Sequence, residues 1–418
     1  MESANSKRSG GAVHLNDRLE PVAQGASSSA VRLPKPDPQG AARSERLRAR
    51  LRQEITRAGA IPFSRYMEWV LYCPRLGYYS AEASQFGPRG DFVTAPELST
   101  LFTRCLACPI ADALSKLSAD EVLELGAGSG RMASDLLLAL ESNGTVPRRY
   151  VILERSPALR CAQRKTLAHH VPHLMKQVTW IEDLPATGFR GVIVANEVLD
   201  AMPVCRFRVM PDRIREWYVG MEENRLVWKL GPPAEQALEQ AVDIIQQKLD
   251  QPLPSGYDSE VNLVHTPWVR RLAERLAAGL ILLIDYGYPR REYYHPQRDR
   301  GTLVCYYRHR AHDDPLIFPG LQDISVHVDF TTIAHAAAAS GLEIAGFTTQ
   351  ANFLLATGLT DLLTAANPES PAYATLTRQV KRLILPGEMG ELVKVMALTR
   401  GLAPPIRGFT QRDLRDRL

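Results

Sequence analysis

The sequence has no apolar run long enough to span a bilayer. Its longest lies around residues 280–284 of a 418-residue chain, whereas a membrane helix needs about 20 apolar residues in succession. A disulfide framework is missing too. Six cysteines, at positions 73, 105, 108, 161, 205 and 305, are scattered through a large chain, as in a protein kept reduced. The net charge of +4 is too small for a nucleic-acid coat, and nucleic acid is not an expected partner. No secretory apolar segment opens the chain. The acids Glu2, Asp17 and Glu20 argue against a mitochondrial presequence, so a bacterial cytoplasm is expected, with the mitochondrial matrix as the alternative. Internal repeats are absent.

What is present is an ordinary globular mixture, 45% hydrophobic and 23% charged, after a Ser/Gly/Ala/Pro-rich stretch read as a disordered tail over 1–42. Residues 43–57 read as a basic helix docked by Leu47, Leu51 and Ile55. From about residue 120, short apolar runs alternate with helical patterns. Strands are expected at 121–125, 150–154, 178–182 and 191–196, with helices at 131–141 and 156–168 between them. The alternation resumes at 268–278 (helix), 280–285 (strand), 331–340 (helix), 342–347 (strand) and 392–398 (strand). Two stretches interrupt it. Residues 204–230 read as β-hairpins with turns at 210–213 and 222–225, and 286–330 reads as a long aperiodic lid. The expected divisions are a helical and cleft-loop region at 43–117, first and second halves of one α/β domain at 118–203 and 258–418, and an insertion at 204–257.

The chemistry gathers at strand ends. "ELGAGSG" places Gly126, Gly128 and Gly130 after an apolar strand, but Arg131 occupies the sixth position, where a dinucleotide fingerprint needs a small residue. Glu124, just before the turn, would repel a pyrophosphate and suits an ammonium group. Glu154 ends the next expected strand, where a carboxylate accepts ribose hydroxyls; Glu182 and Asp183 end the one after, where they would meet an adenine amine. S-adenosylmethionine fits a ligand with an amino acid, a ribose and an adenine, and without phosphate; turn acids beside a helix-capping glycine loop are the alternative reading. "ANEVLDAMPV" then sets Asn196, Glu197 and Asp200 beside the reacting centre, with carboxylates able to grip a guanidinium; helix capping is the alternative reading of Asn196. In "GLQDISVHVDF", His327 and Asp329 alternate as in a strand and so share a face, as a base pair of residues, a metal site or a structural pair. Asp285 and Tyr286 also end a strand. "GDFVTAPE" carries Asp91, Thr94 and Glu97 on a proline-containing loop that also reads as a plain helix start. Cys105 and Cys108 have no second pair to complete a zinc site and read as inert thiols; no metal site is expected.

"FGPRGDFVTAPELS", "ELGAGSG", "ERSPALRCAQ", "ANEVLDAMPV", "EYYHPQRDRGTLVCYYRH", "DPLIFPGLQDISVHVDFT", "GFTTQANFLLATGL" and "GEMGELVKVMAL", in order over roughly residues 60–400, resemble the MidA-like family. The resemblance implies a Rossmann-like class I methyltransferase: an α/β fold with a mostly parallel seven-stranded sheet, an N-terminal helical extension and inserted hairpin and lid segments. It further implies S-adenosylmethionine as cofactor and protein arginine methylation linked to respiratory complex I assembly, with a respiratory subunit as a possible substrate. The "GDFVTAPE" loop, including Thr94, would lie at the cleft, and Gly126, Gly128, Glu154 and Asn196 would line the cofactor site. Glu197 with the His327–Asp329 pair is the expected acid–base machinery. A cofactor-binding assembly chaperone without turnover, and a methyltransferase of RNA or of a small molecule, are the alternatives.

Overall fold

In the computed structural model, residues 20–21, 33–81 and 93–418 are described. The centre is a sheet whose main strands are β1 (Glu121–Leu125), β2 (Arg149–Leu153), β3 (Val178–Ile181), β4 (Phe189–Asn196), β5 (Leu276–Tyr288), β6 (Glu343–Thr349) and β7 (Val393–Arg400). Their spatial order is β6-β7-β5-β4-β1-β2-β3, and a two-residue strand, Val328–Asp329, adds an eighth beside β5. All neighbours are parallel except β7, which runs antiparallel to both β5 and β6. The parallel strands are apolar throughout because both faces are covered. Along β5, Leu280, Leu282 and Ile284 enter one core, with the helices Thr100–Leu117 and Arg131–Ser142. Ile281 and Leu283 enter the opposite core, with His265–Arg275 and Phe330–Ala339. Alternate residues thus serve opposite layers, as the period of a strand requires.

The interruption at 204–230 forms the expected hairpins, Cys205–Val209, Ile214–Glu222 and Arg225–Gly231. Asp258–Val261 pairs antiparallel with Cys205–Val209, so the inserted sheet extends past the boundary expected at 257. Ile61–Pro62 and Glu20–Pro21 pair with the same sheet. The first helix, Pro38–Ala58, starts inside the span expected to be a tail, because Asp37 caps it by accepting from Gly40 N at 2.8 Å. Leu47, Leu51 and Ile55 are its buried face, as its period required. The rest of the expected tail, 1–19 and 22–32, lies outside the described residues.

The stretch 286–330 differs most from expectation. It holds a short helix, Arg290–Tyr293, and a small antiparallel sheet of Val304–Tyr307, Arg310–His312 and Asp323–Ser325. These strands are only three or four residues long, too short for a period to stand out across 286–330, although Cys305 and Ile324 turn to the core while Val304, Tyr306, Asp323 and Ser325 line the cavity. Within helix Thr100–Leu117, burial raises the Cys105 thiol to about 12, consistent with an inert residue. Among the described residues, no helix is long and apolar enough to cross a membrane.

Candidate functional site

The carboxyl ends of β1, β2 and β4 open onto a cavity of about 580 Å³, within the range of small-molecule sites. Its floor is the glycine turn. Gly126, Gly128 and Gly130 have φ of +67°, +52° and +84°, in the left-handed region that favours glycine. A Cβ on Gly126 would come within 3.3 Å of the Val198 side chain, and one on Gly130 within 3.0 Å of Gln163 Cα, so side chains would close the turn. Gly130 does not line the cavity; it caps helix Arg131–Ser142, and Arg131 turns away to Asp135 at 2.8 Å.

Glu124 is fully buried. The Tyr150 hydroxyl donates to its Oε2 at 2.6 Å, while its Oε1 has no partner among the described residues. Burial pushes this carboxyl up to about 7, against the opposing effect of Tyr150. Glu154 is held by two donors, Ser156 N to Oε1 at 2.8 Å and Gln163 Nε2 to Oε2 at 3.0 Å. Gln163 also donates to Gly128 O at 3.0 Å and accepts from Trp180 Nε1 at 2.9 Å, tying the acid to the glycine turn. A carboxylate fixed by two donors keeps lone pairs for a diol.

The turn after β4 is built with strain and with a brace. Glu197 has φ +52°, unusual for a residue with a side chain. Its N–H donates to Ile284 O at 2.8 Å. Behind it the buried Asp285 carboxylate accepts from the N–H groups of Val198 at 3.0 Å, Leu199 at 2.8 Å and Asp200 at 3.4 Å. That brace sets Glu197 against the cavity. Burial raises the Glu197 carboxyl to about 8, with Asp200 adding to the rise and the amide of Asn196, donating at 3.2 Å, opposing it. Asn196 Oδ1 is buried without a partner among the described residues. Asp200 is raised well above the usual range, first by burial and then by Asp285 and Asp323. Asp323 accepts from the Tyr79 hydroxyl at 2.7 Å and from Ser325 Oγ at 2.9 Å.

Of the residues expected from sequence, Thr94, Glu124, Gly126, Gly128, Glu154, Asn196, Glu197 and His327 line this one cavity. Asp91 lies outside the described residues. Glu182 and Asp183 do not reach the cavity: β3 is an edge strand, and these exposed acids pair with Arg160 at 2.7 Å and Arg155 at 3.0 Å. The His327–Asp329 pair is also corrected. His327 precedes a strand only two residues long, so alternation does not hold across them. Asp329 caps helix Phe330–Ala339 through Thr331 N at 3.0 Å and pairs with buried Arg290 at 3.1 Å. His327 instead packs on Tyr286 and Tyr288, with ring centroids 6.1 and 5.2 Å away. Burial, then Arg298 and Lys394, lowers it to about 4, which keeps it neutral at pH 7. The lining residues Tyr72, Tyr79, Tyr306, Asp323 and Arg382 escaped the sequence reading. They come from three separate stretches, around 72–79, 306–323 and 382, and only the strand-end position of an acid is marked in sequence.

This geometry fits a ligand with an ammonium, a diol and no phosphate: seven carboxylates among the described lining residues face one arginine, Arg382, and Glu124 and Asn196 each present an unpartnered oxygen. The comparisons agree. Residues 105–348 match the Methyltransf_28 family, described as "Putative S-adenosyl-L-methionine-dependent methyltransferase". A crystal structure of a Burkholderia thailandensis protein bound to S-adenosyl-homocysteine is 43% identical, with a TM-score of 0.87 over 92% of this chain and 100% of that one. A native structure from the same organism is 42% identical with a TM-score of 0.84, over 92% and 100% of the two chains. Two curated relatives are named protein arginine methyltransferases: the mitochondrial NDUFAF7 homolog of Drosophila melanogaster, 27% identical over 90% of this chain and 92% of that protein, and mitochondrial NDUFAF7 of Mus musculus, 29% identical over 83% of each. The chain belongs to the Methyltransf_28 family of S-adenosyl-L-methionine-dependent methyltransferases.

Proposed function

We propose that the protein methylates an arginine side chain of a protein substrate. The observation that carries this reading is the acceptor side of the cavity, where Glu197, Asp200 and Asp323 meet Tyr72, Tyr79, Tyr286 and Tyr306. A guanidinium stays charged at neutral pH and offers five donors in a plane, so paired carboxylates hold it and aromatic faces flank it. The names of the curated relatives support the same acceptor, and the resemblance to the MidA-like family extends it to a respiratory-complex subunit.

S-adenosylmethionine, when bound, supplies an activated methyl on a sulfonium. Glu154 would hold the ribose hydroxyls, Glu124 Oε1 the ammonium, and Arg382 the carboxylate, while Asn196 and Thr94 border the same space. Gly126 and Gly128 let the backbone come close. Once the bound cation has ionised it, Glu197, braced through Asp285, would take the guanidinium proton as a nitrogen accepts the methyl from the sulfonium and S-adenosyl-homocysteine is left, while Asp200 and Asp323 would fix the orientation of the plane. His327, neutral and weakly basic, lines the cavity and does not serve as the base.

Incubation of the protein with methyl-labelled S-adenosylmethionine and host lysate, split by protease and ribonuclease treatment, tests the reading. Label should fall with protease, survive ribonuclease and reside on arginine after acid hydrolysis. Label lost to ribonuclease, found on a small molecule or absent altogether would overturn it, the last outcome favouring an assembly role without turnover.

A further inference from the structure

The cavity adjoins a second groove of about 1890 Å³, and the two share Tyr72, Tyr79, Gly126, Glu154 and Val198. The groove runs beside the start of helix Pro38–Ala58, the segment 62–81 and the first turn of helix His265–Arg275. Two of the large hydrophobic residues exposed on the protein, Tyr72 at 38% and Val264 at 43%, lie in it, next to Met202, Pro203 and Pro267. Its charge is opposite to that of the cavity. Among described lining residues the groove has six arginines against four acids, whereas the cavity has one arginine against seven acids. Arg46, Arg75 and Arg271 are exposed and enter no ion pair with a described residue.

We propose that this groove docks the stretch of substrate polypeptide beside the acceptor arginine, and that it selects stretches in which Asp or Glu alternate with apolar residues. The proposal rests on the arginine reading and deepens it. A chain that lies in this groove while it inserts a cation into the cavity runs along the arginines, so acidic neighbours gain attraction where basic ones meet repulsion. Apolar neighbours cover Val264 and Pro267. A nucleic acid suits this path less well, because the cavity it leads into offers its phosphates one arginine among seven acids.

The test uses fluorescent peptides of matched length, with acidic, neutral or basic flanks, in two series: one with a central arginine, one with norleucine in its place. Anisotropy on the norleucine series reads docking without turnover. Acidic flanks should bind roughly tenfold more tightly than basic ones, with a preference that fades as salt rises. The double reversal Arg75→Glu/Arg271→Glu should abolish the preference while S-adenosyl-homocysteine binding, followed by calorimetry, shows the variant folded. Equal binding by all flanks, a preference that survives the reversal, or displacement of the acidic peptide by single-stranded RNA overturns the proposal. The arginine series separates the two readings. Methylation at equal kcat/KM whatever the flanks sinks the groove alone; flank-dependent docking with no methylation of arginine sinks the acceptor assignment alone.

Discussion

At the scale of the residue, the proposed base is Glu197. A side chain at φ +52° costs about 1–3 kcal/mol, and three N–H groups on Asp285 keep it there. Glu197→Gln keeps the shape and removes the proton acceptor. It should lower kcat by about 100-fold or more while S-adenosyl-homocysteine affinity stays nearly constant in calorimetry. Wild-type turnover in that variant would show that another group takes the proton. Glu154→Ala acts on the other half of the site: losing the hydrogen bonds that ribose hydroxyls would donate to this charged acceptor should weaken cofactor binding by about 10- to 100-fold, and unchanged affinity would remove Glu154 from the ribose. Asp329→Ala separates structure from chemistry. Loss of the cap and of the partner of Arg290 should destabilise by about 1–2 kcal/mol or more, read as a fall in the denaturant midpoint, whereas the folded fraction keeps its kcat. A selective loss of kcat would restore Asp329 to the site.

Elements place these residues by a rule that sequence partly displays. Strands buried on both faces read as apolar runs, so β1, β2 and β4 and the acids at their ends were legible. β3 was equally legible, yet its terminal acids, Glu182 and Asp183, went astray because an edge strand leaves its end to solvent and to arginines. The sheet of 304–325 was hard to read because its strands hold only three or four residues each, even though Ile324 and Val326 alternate with polar Asp323 and Ser325. Close approach between strands is a further hidden feature. A Cβ on Gly279 would lie 2.1 Å from Gly191 O, and one on Gly191 2.1 Å from Glu121 O. Gly279→Ala should therefore force β4 and β5 apart at their start and cost about 3 kcal/mol, seen as a lower melting temperature. A melting temperature equal to wild type would mean that the strands move apart freely.

The whole molecule collects acids in one cavity, and this makes its stability depend on pH. Glu124 is raised to about 7, Glu197 to about 8, and Asp200 well above the usual range. A carboxyl whose folded pKa is raised binds its proton more tightly when folded, so its contribution is complete below the unfolded value and is lost as pH rises through the folded one. The ligand-free protein should thus lose melting temperature between about pH 5 and pH 8. Cationic ligands reverse the effect, so the stabilisation by S-adenosylmethionine should grow over the same interval, with proton release detectable as buffer-dependent binding enthalpy. A thermal shift independent of pH would show that these carboxyls do not meet the ligand's positive charge.

The chain by itself determined the alternating strands and helices, the glycine turn and the acids at the ends of β1, β2 and β4, because burial period and backbone sterics act within a few residues. It also determined that a phosphate-free, positively charged ligand belongs there. Only the tertiary structure decided which acids line the cavity. It turned Glu182, Asp183 and Asp329 to arginines and a helix cap, separated His327 from its expected partner, and gathered Tyr72, Tyr79, Tyr306, Asp323 and Arg382 from distant segments around Glu197. The physical reason is that a side chain's role depends on what faces it across the cavity, and long-range packing, not local sequence, sets that neighbour.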